Sequence, residues 1–308
     1  MFFSKKAIGV EVSGEAIKMA VVDGSRNSLS LAAYNATPIP HDLLKFGMKE
    51  QNVLNPSAFV GIIRDAYLRL LTKETVISLS LPETTGRVML VDIETRFKSK
   101  EEGKEIIRWK LKKNFSFNLS ETHLDYQLLE EKDDGAMSLL VSIIAKPVIT
   151  QFEELFLQAG LEPKFIDFTG FNVYRLFSNR LSVTENVTFF TFHCGIFTMM
   201  VFYGEVLVFY RSKDLSPGIF EPNRLYREIN NSQLVFKDKF PGFSANEVFC
   251  FAAGEDAESF SGVVSDAIGA EPILLDVSRV ISSQSGVATD RRLLQSLAGA
   301  LGAAVRDF

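Results

Sequence analysis

The stretch AIGVEVSGEAIKMAVVDG, which runs from Ala7 to Gly24, decides the fold of this chain. It starts as an apolar run of β-forming residues, passes through the polar residues Ser13-Gly14-Glu15, and continues as a second apolar run up to a glycine. This pattern predicts two antiparallel strands joined by a tight loop.

A related pattern, VTFFTFHCGIFTMMVFYG, returns from Val187 to Gly204, with Gly195 in its loop. Two strand-loop-strand units about 180 residues apart predict a duplicated α/β core. In one interpretation, the backbone N–H groups of the two loops point at phosphates across a cleft. In the other, the two units are ordinary hairpins, and the pattern alone leaves both interpretations open.

Composition limits the classes of protein to which this chain can belong. Its 308 residues are 46% hydrophobic and 23% charged, which predicts a globular protein of two domains. The net charge of -5 provides no general attraction to nucleic acid or anionic lipid. No apolar run reaches the roughly 18 residues of a membrane span, and the segment Met1 to Lys6 is too short for a signal peptide. We therefore expect a cytoplasmic protein that reaches a membrane only through a partner.

The cysteines and histidines do not form a familiar catalytic or metal-binding motif. Cys194 and Cys250 lie in apolar β-rich segments, which predicts buried, reduced thiols. His41, His123 and His193 have no Ser or Cys partner at the spacing of a nucleophilic triad. His193 and Cys194 are adjacent on a predicted strand, so we expect their side chains on opposite faces. Metal-binding, Walker and GxGxxG motifs are missing, so any phosphate site must be of the two-hairpin kind.

Periodicity predicts alternating helices and strands along the rest of the chain. A helix over 55–71 carries an apolar stripe, and the run over 76–81 has the pattern of a buried strand. In the second half we expect a break at Pro217-Gly218, a polar linker over 280–289 and a last helix over 291–306.

The last helix contains Gly299 and Gly302 within a cluster of small residues. Glycine lowers helix stability by roughly 1 kcal/mol relative to alanine, so a close neighbour must pack there. That neighbour is a nucleotide or another helix.

The segment from Gly86 to Ala145 has the pattern of a separate small α+β unit with a hairpin turn at Lys132 to Gly135. Between Arg96 and Lys113 it contains eight Lys or Arg residues against three Glu, with Trp109 among them. This charged helix is either a basic face for a partner, a lipid surface or nucleic acid, or a solvated amphipathic helix.

Asp167 lies where a predicted strand over 164–168 meets the start of a helix at Thr169. A carboxylate in this place can face a cleft, as a catalytic group does, or it can be an ordinary turn or cap residue. The sequence leaves both roles open.

Short segments across nearly the whole chain form one ordered set. They are IGVEVS (8–13) with AIK (16–18), the helix leading to Trp109, FSF (115–117), DYQL (125–128), AKP (145–147), QAGLEP (158–163), ID (166–167) and LAGALGAAVR (297–306). In order and spacing this set resembles the PilM family, the actin-like cytoplasmic proteins of type IV pilus assembly, which are related in fold to the cell-division protein FtsA.

The resemblance implies an α/β fold class, namely a duplicated actin-like (ribonuclease H-like) ATPase fold with an inserted small α+β subdomain and a shortened second half. We expect a first half over 1–168, with the insertion at about 86–145. We expect a second half over 169–308 that ends in the helix over 291–306.

The resemblance also implies a cofactor and partners. Family members bind ATP, and a groove at their inserted subdomain takes the short cytoplasmic N-terminal tail of the membrane protein PilN. We therefore expect ATP with Mg²⁺, a PilN-like tail, other pilus assembly proteins, a location at the inner membrane through these partners, and no nucleic acid. The expected partner groove involves Trp109, Phe115 and Phe117. The expected nucleotide-binding residues are Ser13, Gly14, Lys18, Gly195, Gly254 and Gly299.

The chain departs from the family pattern at its nucleotide loops. The first loop has Glu11 where the family has Asp, and Ser13-Gly14 inverts the usual order of glycine and serine. In the second loop the family's DIG is His193-Cys194-Gly195, the adenosine-side GGG is reduced to Ala253-Gly254, and the segment over 211–247 is short. Because an imidazole cannot supply an anionic oxygen to Mg²⁺, these changes predict a degenerate site without efficient hydrolysis.

Four functional hypotheses remain. The leading one is a scaffold at the inner-membrane part of a pilus or related secretion machine. An active ATPase requires a replacement carboxylate, for which Glu11 and Asp167 are the candidate catalytic residues. The other two are a small-molecule kinase of the same fold superfamily, for which no catalytic carboxylate is identified, and a cytoplasmic GspL-like module of type II secretion.

Overall fold

The computed structural model describes residues 5–25, 28–215, 220–287 and 290–308. Its strands are, in chain order, β1 (Lys5–Val12), β2 (Ala16–Ser25), β3 (Ser28–Pro38), β4 (Val76–Leu81), β5 (Gly86–Ile93), β6 (Thr122–Glu131), β7 (Met137–Ala145), β8 (Glu162–Phe168), β9 (Asn186–His193), β10 (Ile196–Tyr203), β11 (Val206–Asp214), β12 (Glu247–Ala252), β13 (Ile273–Leu274) and β14 (Ile281–Ser283). Its α-helices are α1 (Pro56–Leu68), α2 (Lys100–Leu111), α3 (Lys146–Gln158), α4 (Thr169–Leu181), α5 (Pro222–Lys239), α6 (Asp256–Ile268), α7 (Arg291–Ser296) and α8 (Ala298–Val305).

The two large sheets have matching arrangements of strands. In the first the order is β14-β3-β2-β1-β4-β8, with β1 antiparallel to β2 and parallel to β4. In the second the order is β11-β10-β9-β12-β13, with β9 antiparallel to β10 and parallel to β12. The hairpins β1–β2 and β9–β10 therefore occupy corresponding positions, which confirms the predicted duplication of an α/β core.

The strand β1 is covered on both faces because its side chains alternate in direction. Ile8, Val10 and Val12 pack into one buried cluster together with residues of α1 and α3. On the other face lies Gly9, where an added Cβ would overlap the backbone of α8. Glu11 shares that face at the end of the strand, so the pleat directs its carboxylate at α8.

The close neighbours predicted for the two glycines of the last helix are other parts of the protein, at Gly299 as well as at Gly302. At Gly302 an added Cβ would overlap the backbone of Asn172 in α4. At Gly299 it would lie 2.7 Å from the carboxylate of Glu11. The small residues of α8 therefore let a helix and a charged side chain approach its backbone.

The predicted single helix over 291–306 is wrong, because the chain forms two helices that meet at Leu297 (φ -89, ψ 2). Every residue of α8 from Ala298 to Ala304 is buried between β1 and α4, where the small side chains fix its position. The shorter α7 instead packs against the 3-10 turn Val277–Arg279. Two different sets of contacts hold the two helices, and the helical dihedral angles are interrupted at Leu297 between them.

The predicted polar linker over 280–289 is also wrong in part, because Ile281–Ser283 forms β14 and pairs in parallel with β3. Ile281 is fully buried. A strand of three residues is too short for a periodic signal, and its pairing partner lies far away in the sequence. The end of that predicted linker and the predicted break at Pro217-Gly218 lie outside the described residues.

The inserted unit is a sheet of order β5-β7-β6 packed against α2. Ile107 and Leu111 of α2 are buried in its core, as the amphipathic interpretation predicts. The predicted turn closes the β6–β7 hairpin, with Gly135 at φ 87. Gly86 in β5 pairs with Ile144 in β7, so the chain enters and leaves the unit at neighbouring points.

The boundary expected between residues 168 and 169 falls between β8 and α4. The chain crosses between the sheets again near its end, where β14 joins the first sheet and α8 packs on β1. The division into 1–168 and 169–308 stays a prediction. Among the described helices, none has both the length and the apolar character needed to cross a membrane.

A pair of glycine substitutions tests the packing of α8. We expect Gly302→Ala to lower the free energy of unfolding by about 3 kcal/mol, since the backbone of Asn172 leaves no space for a methyl group. Gly61→Ala in α1 is the matched control: its Cβ would meet no atom within 4 Å, and the change to alanine favours a helix by about 1 kcal/mol. Denaturant unfolding of both variants measures the difference, and equal effects would contradict the close approach of α8 and α4.

Candidate functional site

The ends of β1 and β9 meet at a buried pair of charged groups. Glu11 is 1% exposed and His193 is 5% exposed. His193 Nε2 lies 2.6 Å from Glu11 Oε1. The two residues are 182 positions apart in the chain, and each belongs to one of the two matching hairpins. Their contact therefore joins the two large sheets.

Cys194 reaches the same carboxylate, which the sequence did not predict. The residue is exposed, not buried, and its Sγ lies 3.3 Å from Glu11 Oε1. The expectation that His193 and Cys194 point to opposite faces is wrong because β9 ends at His193. Cys194 and Gly195 form a two-residue hairpin turn with φ of 50 and 76, and this turn brings the thiol back toward Glu11.

Lys18 is the second cation beside Glu11. The two residues are direct partners in the β1–β2 hairpin, so their side chains share one face of the sheet. Lys18 Nζ lies 3.9 Å from Glu11 Oε2 and 3.8 Å from Cys194 Sγ, and it donates a hydrogen bond of 2.9 Å to the backbone oxygen of Ser296. One carboxylate is thus surrounded by an imidazole, a thiol and an ammonium group.

Opposite charges keep this group ionised despite its burial. Burial raises the pKa of Glu11, but the charges of His193 and Lys18 outweigh it and lower the pKa to about 2. Burial lowers the pKa of His193, whereas Cys194 and Glu11 raise it to a net value of about 10. Within the described part of the chain, Glu11 Oε2 and His193 Nδ1 have no hydrogen-bond partner.

The other residues predicted to bind nucleotide lie in the surrounding turns. Ser13 Oγ accepts hydrogen bonds from the backbone of Glu15 and Ala16, so it stabilises its own turn. Gly14 is exposed and an added Cβ there would meet no atom within 4 Å. Gly254 has φ 67 in the turn after β12. Their role in nucleotide binding stays a prediction.

Asp167 lies apart from the Glu11 carboxylate. In the sheet it pairs with Ser80, which in turn pairs with Glu11, so Asp167 is two strands away. Its Oδ2 is bound by Arg175 Nη2 at 2.9 Å and by Arg306 Nη1. Two guanidinium groups therefore neutralise one of the two carboxylates that are candidates for the catalytic group of an active ATPase.

The residues predicted to border a partner groove lie on the inserted unit. Trp109 is 80% exposed on α2. Phe115 and Phe117 form an edge-to-face pair with ring centroids 5.3 Å apart. Lys49 approaches this pair from outside the inserted unit, with its Nζ 5.6 Å from the ring centroid of Phe117. The phenylalanine pair thus lies where the insertion meets the first half, whereas Trp109 faces solvent.

Two cavities border the inserted unit. The larger, of about 840 Å³, runs between β5 and β11. The smaller, of about 270 Å³, lies between the inserted sheet and β8 and includes Asp167 and Arg306 in its lining. Within the described part of the chain, the linings of these two cavities do not include Trp109, Phe115 or Phe117.

Glu83 is a partly buried carboxyl group in the lining of the larger cavity. It follows β4 in a 3-10 turn, and its Oε1 accepts a hydrogen bond of 2.5 Å from the backbone N–H of Gly170 at the start of α4. Burial raises the pKa of Glu83 to about 6, and the hydrogen bond from Gly170 offsets part of this increase.

Matching hairpins in two sheets, with charged side chains where the hairpins meet, define a protein of the actin-like ATPase fold. The chain matches the model of the type IV pilus assembly protein PilM family over residues 9–216, well over half of its length, and it belongs to that family. No curated protein sequence matches the chain.

Solved structures of low sequence identity share the fold. A chain of a PilM-PilN type IV pilus biogenesis complex has 18% identity and a TM-score of 0.78, with 97% of this chain and 98% of that chain covered. A protein of unknown function with an actin-like ATPase fold from Bacteroides thetaiotaomicron has 12% identity and a TM-score of 0.51, with 95% of each chain covered. The cytoplasmic domain of EpsL, an inner membrane component of the Vibrio cholerae type II secretion system, has 8% identity and a TM-score of 0.51, with 96% and 95% covered.

The titration of Glu83 predicts a specific pH dependence of stability. The folded protein holds the Glu83 proton more tightly than the unfolded chain does, because the pKa rises from 4.5 to about 6. The raised pKa adds about 2 kcal/mol to the free energy of unfolding. This contribution is complete below pH 4.5 and is lost as the pH rises through about 6. Glu83→Gln keeps an oxygen acceptor for Gly170 and removes the titration.

Urea unfolding at pH 4, 5.5 and 7 measures this contribution. We expect the free energy of unfolding of the unmodified protein to fall relative to Glu83→Gln by about 2 kcal/mol across that range. Parallel pH profiles of the two proteins would contradict the raised pKa.

Proposed function

We propose that this protein is a cytoplasmic scaffold of type IV pilus assembly that binds the short cytoplasmic tail of a PilN-like membrane protein. The observation that carries the proposal is the family match together with near-complete coverage of a chain from a PilM-PilN complex. Other pilus assembly proteins are further partners in this proposal. The protein is then held at the inner membrane through its partners.

The inserted unit is the proposed docking part for the tail. Its outer helix α2 presents Trp109 to solvent. The aromatic pair Phe115 and Phe117 follows α2 in the chain and is approached by Lys49 from outside the unit. Aromatic side chains contribute large contact areas at protein interfaces. An exposed tryptophan among basic residues is therefore a suitable anchor for a peptide with apolar and acidic side chains.

The proposed nucleotide site is degenerate. Mg²⁺ prefers oxygen ligands in a regular octahedron, whereas the second hairpin offers the imidazole of His193 and the thiol of Cys194. The first hairpin offers Glu11, whose carboxylate is already bound by His193 and lies against the backbone of Gly299. These residues do not fit a magnesium nucleotide positioned for phosphoryl transfer. ATP with Mg²⁺ therefore has no catalytic role in this proposal.

Type II secretion is the second candidate system. The cytoplasmic domain of EpsL shares the fold over 96% of this chain, and we propose a GspL-like role as the alternative to the pilus scaffold. In both systems the chain acts as a cytoplasmic platform for a membrane protein. The identity of the captured tail distinguishes them.

Removal of the inserted unit tests the docking proposal. Because Gly86 pairs with Ile144 at the base of the unit, a short glycine-serine linker can replace residues 86–145 without stretching the first half. We expect this variant to lose capture of a peptide that corresponds to the N-terminal cytoplasmic segment of the PilN-like protein from the same genome. Fluorescence anisotropy measures the binding, and circular dichroism checks that both halves stay folded.

A point variant addresses the same surface without removing structure. We expect Trp109→Ala to weaken peptide binding at least about 10-fold, as for an anchor residue of an interface. Tyr203→Ala is the matched control, since Tyr203 is another exposed aromatic residue, 58% exposed, on the second half. Retained binding after deletion of the unit contradicts the proposal. Capture of a type II secretion peptide instead of the PilN-like one supports the second candidate system.

A further inference from the structure

Three kinds of side chain that bind transition metals meet where β1 and β9 end. Glu11, His193 and Cys194 each offer one ligand atom, and these atoms all lie within 4.8 Å of one another. We propose that this cluster binds a divalent transition-metal ion of the zinc type. The inference goes beyond the proposed function, since the docking surface on the inserted unit does not depend on it.

The distances within the cluster suit one shared ion. Zinc lies about 2.0 Å from nitrogen or oxygen ligands and about 2.3 Å from sulfur, which places neighbouring ligand atoms of a tetrahedral site roughly 3.3 to 3.7 Å apart. Cys194 Sγ lies 3.3 Å from Glu11 Oε1. His193 Nε2 lies 2.6 Å from the same oxygen. An ion bound to all three groups requires the glutamate oxygen and the histidine nitrogen to move apart by about 1 Å, and the ligand atoms of Cys194 and His193 lie within 4.8 Å of each other.

A polar atom without a hydrogen-bond partner supports a ligand at this place. Glu11 is 1% exposed. Within the described residues its Oε2 has no hydrogen-bond partner, and the charged group nearest to it in the cluster is Lys18 Nζ at 3.9 Å. Buried polar atoms are nearly always satisfied in folded proteins, so each exception requires an explanation. Rotation of the carboxylate toward a bound cation would satisfy Oε2.

The charge of the cluster is balanced when a metal binds. A metal ion binds the neutral imidazole and the thiolate, so any protons that these two groups carry leave to solvent on binding. The ligand set is then a carboxylate, a neutral imidazole and a thiolate, whose combined charge cancels that of a divalent cation. Lys18 keeps its hydrogen bond to the Ser296 carbonyl and remains a counter-charge beside the thiolate.

The types of ligand select the class of metal. Thiolate and imidazole favour zinc, cobalt and related borderline ions over Mg²⁺ and Ca²⁺, which require oxygen ligands. Three protein ligands leave a fourth position open for water. Cys194 is exposed, so an ion can enter from the solvent side. Glu11 comes from the first hairpin and the other two ligands from the second, so the ion would link the two halves.

Cobalt titration of chelator-treated protein tests the proposal, because thiolate ligation to Co²⁺ gives a charge-transfer band in the near ultraviolet. We expect this band at one equivalent of Co²⁺, its loss on addition of Zn²⁺, and a rise in the unfolding midpoint of about 5 °C with excess Zn²⁺ but not with Mg²⁺. Cys194→Ala should lose the band and bind Zn²⁺ at least about 10-fold more weakly.

Two control variants define the site. Cys250→Ala removes the other thiol, which is buried in β12, and should keep the band. Glu15→Gln removes an exposed carboxylate from the first loop and should keep both the band and the affinity. Absence of a cobalt band in the unmodified protein, or its persistence in Cys194→Ala, would overturn the proposal. Neither result changes the expected capture of a PilN-like tail, which is measured separately in chelator.

Discussion

The arrangement of the two halves depends on the buried contact between Glu11 and His193. Each residue lies at the end of the first strand of its hairpin, so one contact of 2.6 Å connects the two large sheets. Removal of charged groups from water is costly, and only short, well-aligned contacts compensate for it. Loss of Glu11 would leave the buried imidazolium without its counter-charge, and loss of His193 would leave Glu11 with Lys18 at 3.9 Å as its cation. The contact therefore fixes how the two hairpins face each other more than it adds to stability.

The buried contact between Glu11 and His193 also explains the small residues of α8. The carboxylate of Glu11 lies against Gly299, where a Cβ would approach to 2.7 Å. The small residues of α8 are thus explained by contact with β1 and α4, and they do not require a nucleotide. Asp167 takes no part in this contact, because Arg175 and Arg306 hold it. The carboxylates of Glu11 and Asp167 are therefore both paired with cations of the protein itself.

The sequence predicted those parts of the fold that depend on local patterns. The strand Val76–Leu81 agrees at both ends, because it is an apolar run bounded by turn residues. The strand β14 and the interruption of the helix at Leu297 were not predictable, since distant residues determine them. For the site, the hairpins located both Glu11 and His193. The position of the Cys194 thiol depends on a turn with positive φ. The sequence pattern predicted a strand at this residue and therefore did not reveal the turn.

We propose that the protein's own cations, His193 and Lys18, occupy the place of a magnesium nucleotide beside Glu11. Calorimetric titration with ATP in the presence and absence of Mg²⁺, followed by a phosphate-release assay on the same samples, measures whether they do. We expect that Mg²⁺ does not strengthen ATP binding and that no phosphate is released. Mg²⁺-dependent binding with steady phosphate release, abolished by Glu11→Gln, would contradict it.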